Sequence, residues 1–224
     1  QDVLAGALAL RYAAPAFPPG TLHVAVVDPE VGSGRRPLLI ECEGSFFIGP
    51  DNGVLSLALE GKKIGRIIHL INQSYHLKPT SATFHGRDIF APVAAYLSLG
   101  IVPGDFGEEV NDFKRLAWPA VARSDNGIKG EIVYIDTFGN LITNIRESDL
   151  SAFGSRGLTI SVAGATAHGL ASSYSSKETG YAAIINSWGL LEIFSFSGNA
   201  QHLSGAKLGD AVSVRQAATK GQTA

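Results

Sequence analysis

The spacing of apolar positions divides this chain into two textures. In the first, short apolar runs alternate with stretches of helical period. Val3, Leu4, Ala7, Leu8 and Leu10 recur at near-helical intervals until Pro15, Pro18, Pro19 and Gly20 stop them, which predicts an amphipathic helix over 3–14. Residues 22–27 form an apolar, β-branched run without sustained alternation, the pattern of a strand buried on both faces. Further strands are predicted over 37–42 and 46–48, around a Glu43-Gly44 turn, and over 64–71. The turn at 49–53 is suited to cap a helix over 54–60, and 89–99 reads as an apolar helix. Alternation of strands and helices predicts a three-layer α/β domain with a mostly parallel sheet over 1–104.

The pattern then changes. Residues 100–126 carry glycines, prolines and the acidic Asp105, Glu108 and Glu109 without sustained periodicity, which reads as a connection over the surface, with the linker set at 105–129. From Gly130, short strands at 131–135, 158–162, 181–185, 190–194 and 211–214 alternate with turns, predicting an all-β, barrel-like domain over 130–215. Residues 216–224 read as a disordered polar tail.

Composition narrows the class. The 224 residues are 45% hydrophobic, enough for a substantial core. A net charge of −2 offers no broad basic field, so nucleic acid is not an expected partner. No apolar run approaches the ~20 residues of a membrane span. The lone Cys42 excludes an internal disulfide and fits a reducing, cytoplasmic setting. The sequence opens at Gln1 and has no methionine, so the initiator and a longer N-terminal piece are expected to lie outside it.

Asp28 sits at the carboxyl end of the 22–27 run, the edge of an α/β sheet where ligands bind. Pro29, Gly32 and Gly34 shape a turn that returns Arg35 or Arg36 toward it. A polar loop over 72–88 ends in Thr-Phe-His-Gly-Arg-Asp just before a helix, where His85 is placed either to shuttle a proton or to serve as a hydrogen-bonded structural residue. Asp88 is positioned to cap that helix and Arg87 to pair with Asp88. The six histidines lack the spacing of a helix-borne zinc site, and neither a P-loop nor a Gly-x-Gly-x-x-Gly helix opening occurs. In the second domain, Asp136-Thr-Phe-Gly-Asn-Leu-Ile-Thr-Asn144 gathers an acid, two amides and a ring that could read a heterocycle, and equally suits a hairpin corner. Residues 186–193 form a similar strand-turn-strand.

Five motifs in this order carry a resemblance: Val-Asp-Pro-x-Val-Gly at 27–32, Gly-Pro-Asp-Asn-Gly at 49–53, Phe-His-Gly-Arg-Asp at 84–88, Asp-x-Phe-Gly-Asn at 136–140 and Asn-Ser-x-Gly-x-Leu-Glu-Ile at 186–193. The chain resembles the S-adenosyl-L-methionine hydroxide adenosyltransferases, relatives of the fluorinase and chlorinase enzymes. The family's opening strand, ending in Thr-Asp-Phe-Gly, precedes the point where this sequence starts. The resemblance implies a small-molecule substrate, S-adenosyl-L-methionine, hydrolysed to adenosine and methionine without metal or cofactor. It also implies a homotrimer with active sites between the N-terminal domain of one subunit and the C-terminal domain of its neighbour. The family's catalytic triad falls on Asp28, Arg35 and His85, and its adenosyl-binding pattern on Asp136, Phe138, Asn140, Ser187 and Glu192. Trp188 occupies a variable position of the last motif. In this chemistry Arg35 stabilises a developing hydroxide while Asp28 and His85 accept its hydrogen bonds. A halide-using adenosyltransferase and a non-catalytic adenosine or S-adenosyl-L-methionine sensor are the alternatives.

Overall fold

A computed structural model describes residues 1–124, 127–151, 153, 157–176 and 179–216. They fall into two compact units divided between Ala117 and Trp118. Of the expected tail, Gln216 ends the last strand and 217–224 lie outside the described residues.

The first unit opens with α1, Val3–Ala13, whose N-terminus is capped by the Asp2 carboxylate accepting from the Ala5 N–H at 2.9 Å. Five strands follow: β1 (Leu22–Val24), β2 (Pro37–Cys42), β3 (Ser45–Pro50), β4 (Ile64–His69) and β5 (Glu108–Val110), ordered β1-β3-β2-β4-β5. The class is α/β, but the sheet is mixed rather than mostly parallel: β1 runs parallel to β3, while β2/β3, β2/β4 and β4/β5 are antiparallel. The cause is local. Glu43 and Gly44 both take positive φ, 49° and 80°, as a two-residue hairpin requires, and a hairpin can join only antiparallel neighbours.

Alternation along the strands supplies two apolar faces. Leu38, Ile40 and Phe47 pack with Val54, Leu59, Ala14 and residues of α1. Leu39, Ile48 and Ile68 face the other way, onto Phe90, Val93 and Phe106. The helix carrying Val93 is α2, Ala91–Ser98, so the sheet lies between two helical layers. The run at 22–27 is not buried on both faces: β1 is an edge strand that leaves Val24 and Val26 exposed while Ala25 and Val27 pack inward. The helix expected over 54–60 is a short 3-10 turn, Ser56–Leu59. There the Ser56 hydroxyl donates to the Gly53 carbonyl at 2.7 Å and accepts from the Leu116 N–H at 3.0 Å, competing with an α-helical ladder. Acidic β5, inside the expected linker, forms the opposite sheet edge, where charge guards an open ladder.

The second unit is antiparallel throughout. Its strands are β6 (Ala122–Ser124), β7 (Gly127–Ile135), β8 (Leu141–Arg146), β9 (Leu158–Val162), β10 (Ala165–His168), β11 (Tyr181–Ile185), β12 (Leu190–Ser195) and β13 (Ala211–Gln216). They follow the order β10-β9-β13-β7-β8-β12-β11, with β6 on β7, and β10 approaches β11 to make a nearly closed barrel. Inward residues of the strands, among them Ile132, Leu141, Ile145, Ile160, Val162, Leu191, Ile193, Val212 and Val214, form one core. Two short helices, α3 (Glu147–Leu150) and α4 (Ala200–Ser204), sit at barrel ends. Among the described residues no helix is long and apolar enough to cross a membrane.

Candidate active site

The chain leaves β1 under tight control. The Ala25 N–H donates to the Ile48 carbonyl at 3.0 Å, and the Val27 carbonyl accepts from Asn52 Nδ2 at 2.7 Å, which fixes the backbone just before Asp28. Asn52 is itself buried and held by the Val54 N–H, which donates to its Oδ1 at 3.1 Å. The loop then turns back through bonds from the Val31 N–H to the Asp28 carbonyl and from the Ser33 N–H to the Glu30 carbonyl.

That return delivers Arg35, not Arg36, to Asp28. Arg35 Nε donates to both carboxylate oxygens, at 3.0 and 2.9 Å, and Nη2 donates to Oδ2 as well. Arg36 points elsewhere, donating to Asp51 Oδ2 at 2.9 Å and Asp112 Oδ1 at 2.9 Å. The Arg35 and Asp28 side chains are only 4% and 6% exposed. The Arg35 guanidinium also lies 5.4 Å from the centre of the Phe90 ring.

His85 reaches the pair from the second loop. It stands at the head of a π-helical turn, Gly86–Phe90, in which the Ala91 N–H donates to the Gly86 carbonyl before α2 begins. Such turns recur at functional sites. Its Nδ1 lies 2.7 Å from Arg35 Nη2. Arginine has no lone pair to offer, so Nδ1 is the acceptor and the proton of the neutral ring is on Nε2. Burial and then the neighbouring Arg35 charge push the imidazole pKa below its ordinary 6.5, against the weaker pull of Asp28 and Asp88.

Asp88 does not cap the helix as expected. Its carboxylate pairs with Arg87 at 2.6 Å and accepts from the Ser81 N–H at 2.8 Å, tying down the loop that carries His85. The Arg87 bond, followed by the Ser81 bond, holds its carboxyl below the usual range.

In the second unit, Asp136, Phe138 and Asn140 come together at the β7–β8 turn. Asp136 Oδ1 accepts from the Phe138 and Asn140 N–H groups at 2.9 and 2.8 Å, and Oδ2 from Asn140 Nδ2 at 2.9 Å. The turn docks on α4: the Gly139 carbonyl accepts from the Gln201 N–H at 2.9 Å, and a Cβ on Gly139 would lie 2.1 Å from Asn199 Oδ1. Phe138 is therefore held outward, 74% exposed. These residues line a cavity of about 810 Å³ together with Tyr174, Phe194, Ser195, Phe196 and Asn199. Aromatic walls with a few convergent polar groups suit a nucleoside-sized ligand.

Of the other expected binding residues, neither is among those lining the cavity. Ser187 is exposed on the β11–β12 turn, and Glu192 is buried behind the wall, accepting from the Tyr174 hydroxyl at 2.8 Å. Tyr174 and Asn199 escaped sequence reasoning, because both lie in polar segments without period. Among the described residues no group of three or more His, Cys, Asp or Glu could hold a metal ion.

Known proteins match along almost the whole chain. The model of the SAM hydroxide adenosyltransferase N-terminal domain matches residues 1–107, and that of the C-terminal domain residues 130–213. A Methanocaldococcus jannaschii protein named (R)-S-adenosyl-L-methionine hydrolase is 35% identical over 211 residues, covering 90% of this chain and 74% of its own. A Thermus thermophilus protein of the same name is 35% identical over 217 residues, covering 93% and 81%. The crystal structure of a conserved protein from Thermotoga maritima superimposes with a TM-score of 0.87 at 30% identity, over 96% of this chain and 84% of that one. With both of its domain models matched in order and relatives similar over nine-tenths of its length, the chain belongs to the SAM hydroxide adenosyltransferase family.

Proposed function

We propose that this chain hydrolyses S-adenosyl-L-methionine to adenosine and L-methionine, with the preference for the (R) sulfonium that its relatives' names carry. A water oxygen attacks the 5′ carbon in line with the carbon–sulfur bond. The bonding pair leaves with sulfur, giving the neutral thioether of methionine, and the water proton passes to a base and then to solvent. Positive charge on sulfur is cancelled as the bond breaks, so the leaving group needs neither a general acid nor a metal.

One observation carries this reading. Arg35 Nη1 is buried and has no hydrogen-bond partner among the described residues, although its neighbours Nε and Nη2 are committed to Asp28 and His85. A buried donor left over from a fixed ion pair is suited to an oxygen that becomes anionic as it reacts. Asp28 is the proton acceptor. His85, with its proton on Nε2, donates to the nucleophile and helps to aim it, a narrower role than the acceptor first expected of it. Holding the water in line is worth about 7–11 kcal/mol where alignment is good. Asp136, Phe138 and Asn140 hold the adenosyl group in the second unit's cavity, with Tyr174 as a further aromatic wall.

The same proposal includes a cytoplasmic homotrimer in which neighbouring subunits complete each site; light scattering reports the assembly. The chemistry is tested by turnover in heavy-oxygen water. The label is expected in the 5′ hydroxyl of adenosine and not in methionine. Adenosine without label, or 5′-haloadenosine formed when chloride or fluoride is supplied, overturns the reading.

A further inference from the structure

We propose that Glu192 is a positioning residue of the cavity, its two carboxylate oxygens joining the Tyr174 ring and the Asn186 turn into one preformed wall. This rests on the nucleoside reading of that cavity and assigns Glu192 a role one bond removed from the ligand.

Glu192 is 3% exposed on β12, and both oxygens are engaged. Oε1 accepts from the Tyr174 hydroxyl at 2.8 Å, and Oε2 accepts from Asn186 Nδ2 at 3.0 Å. The Asn186 amide is fixed in turn, because its Oδ1 accepts from the Trp188 and Leu190 N–H groups at 2.9 and 3.2 Å, so only its NH₂ is free to face Glu192. The Tyr174 ring packs edge-on against Phe194, centres 4.9 Å apart. One contact on the ring edge and one on its hydroxyl hold the orientation of a side chain that is otherwise half exposed.

The residue type matters. An ionised carboxylate accepts at both oxygens, whereas a glutamine has a single acceptor oxygen and would either turn its NH₂ toward the Asn186 NH₂ or reverse the bond to the tyrosine hydroxyl, which must then accept instead of donate and reorient. The cross-strand neighbours of Glu192 are Ile184 on β11 and Ile142 on β8, so nothing polar on those partners replaces a lost bond. The titratable groups that act on it are Tyr174 and Asp136.

The test compares Glu192→Gln, Tyr174→Phe and the double variant. Ordering a freed ring on binding costs roughly a 2- to 12-fold loss of affinity. Each single variant is expected to raise the adenosine Kd and the substrate KM by that factor, with kcat changing less than twofold and the double variant no worse than either. Proteins carrying 3-fluorotyrosine give a readout without ligand: the fluorine resonance that Tyr174→Phe removes should shift in Glu192→Gln. An unmoved resonance, a shifted resonance with unchanged Kd, or additive losses in the double variant overturns the proposal. Failure of the unaltered protein to bind adenosine would instead sink the nucleoside reading, and the resonance would still decide whether Glu192 holds Tyr174.

Discussion

Gly32 stands directly against Ala82: a Cβ on Gly32 would lie 2.4 Å from the Ala82 carbonyl oxygen, and its φ of +81° is one that other residues adopt only with strain. The loop bearing Asp28 and Arg35 is thereby seated on the loop bearing His85. Gly32→Ala must push the two apart. A displacement near 1 Å at reacting groups costs about a hundredfold, so kcat/KM is expected to fall by that order. Thermal unfolding should shift far less than the activity, and near-normal turnover would contradict the seating.

The Asp28–Arg35 pair is buried on both sides, so removing one partner strands the other's charge. Asp28→Leu and Arg35→Met are each expected to destabilise the fold by about 3–5 kcal/mol, while the double variant recovers much of the loss. Urea unfolding of the three proteins measures this. All three should be inactive, which separates the pair's structural worth from its chemistry.

His85 takes up a proton only below its ordinary 6.5, since burial and Arg35 both disfavour the imidazolium. Protonation would place a hydrogen on Nδ1 facing the Arg35 donor and break their contact. The acid limb of kcat/KM is therefore expected below pH 6.5, with activity lost as pH falls through it. An acid limb centred above that value would refute the lowering of the imidazole pKa by burial and Arg35.

Glu192 has the opposite sign. Burial raises its folded pKa above the usual 4.5, outweighing the bonds from Asn186 and Tyr174, so its favourable contribution is complete below 4.5 and is lost as pH rises through the folded value. The midpoint difference of Glu192→Gln minus unaltered protein should become more positive from pH 4 to pH 8. A difference that is flat or falls with pH would show that Glu192 is not held in a poorly solvated site. The Tyr174 hydroxyl opposite it is pushed up to about 12 and stays protonated throughout that range.

The two-unit plan was legible because apolar periods change near Gly130, and the meeting of Asp28, Arg35 and His85 was legible because they lie in short motifs beside a strand or helix. The chain could not distinguish Arg35 from Arg36, since adjacent residues differ only in which way the backbone turns them. Strand β8 was hidden by its own polar residues. Thr143 and Asn144 are fully buried, Thr143 donating to the Leu191 carbonyl at 2.8 Å and Asn144 accepting from the Glu131 N–H at 2.7 Å, so two adjacent polar residues interrupt the apolar run in the middle of the strand. Strand β10 turns only Ala165 and Ala167 inward, too little to mark a core face. The short strand β5 resembles a loop for the reason that makes it a safe edge: two glutamates in three residues.

Asp28 and Arg35 neutralise one another, and the His85 ring beside them is uncharged at neutral pH, so the centre proposed for the reaction is electrically silent as a whole. Such a centre exerts little pull on a cationic sulfonium arriving and none on the thioether departing. On the proposed reading, capture and retention then fall to the aromatic cavity of the second unit, and a substitution that alters the chemical step leaves unchanged how long the nucleoside stays.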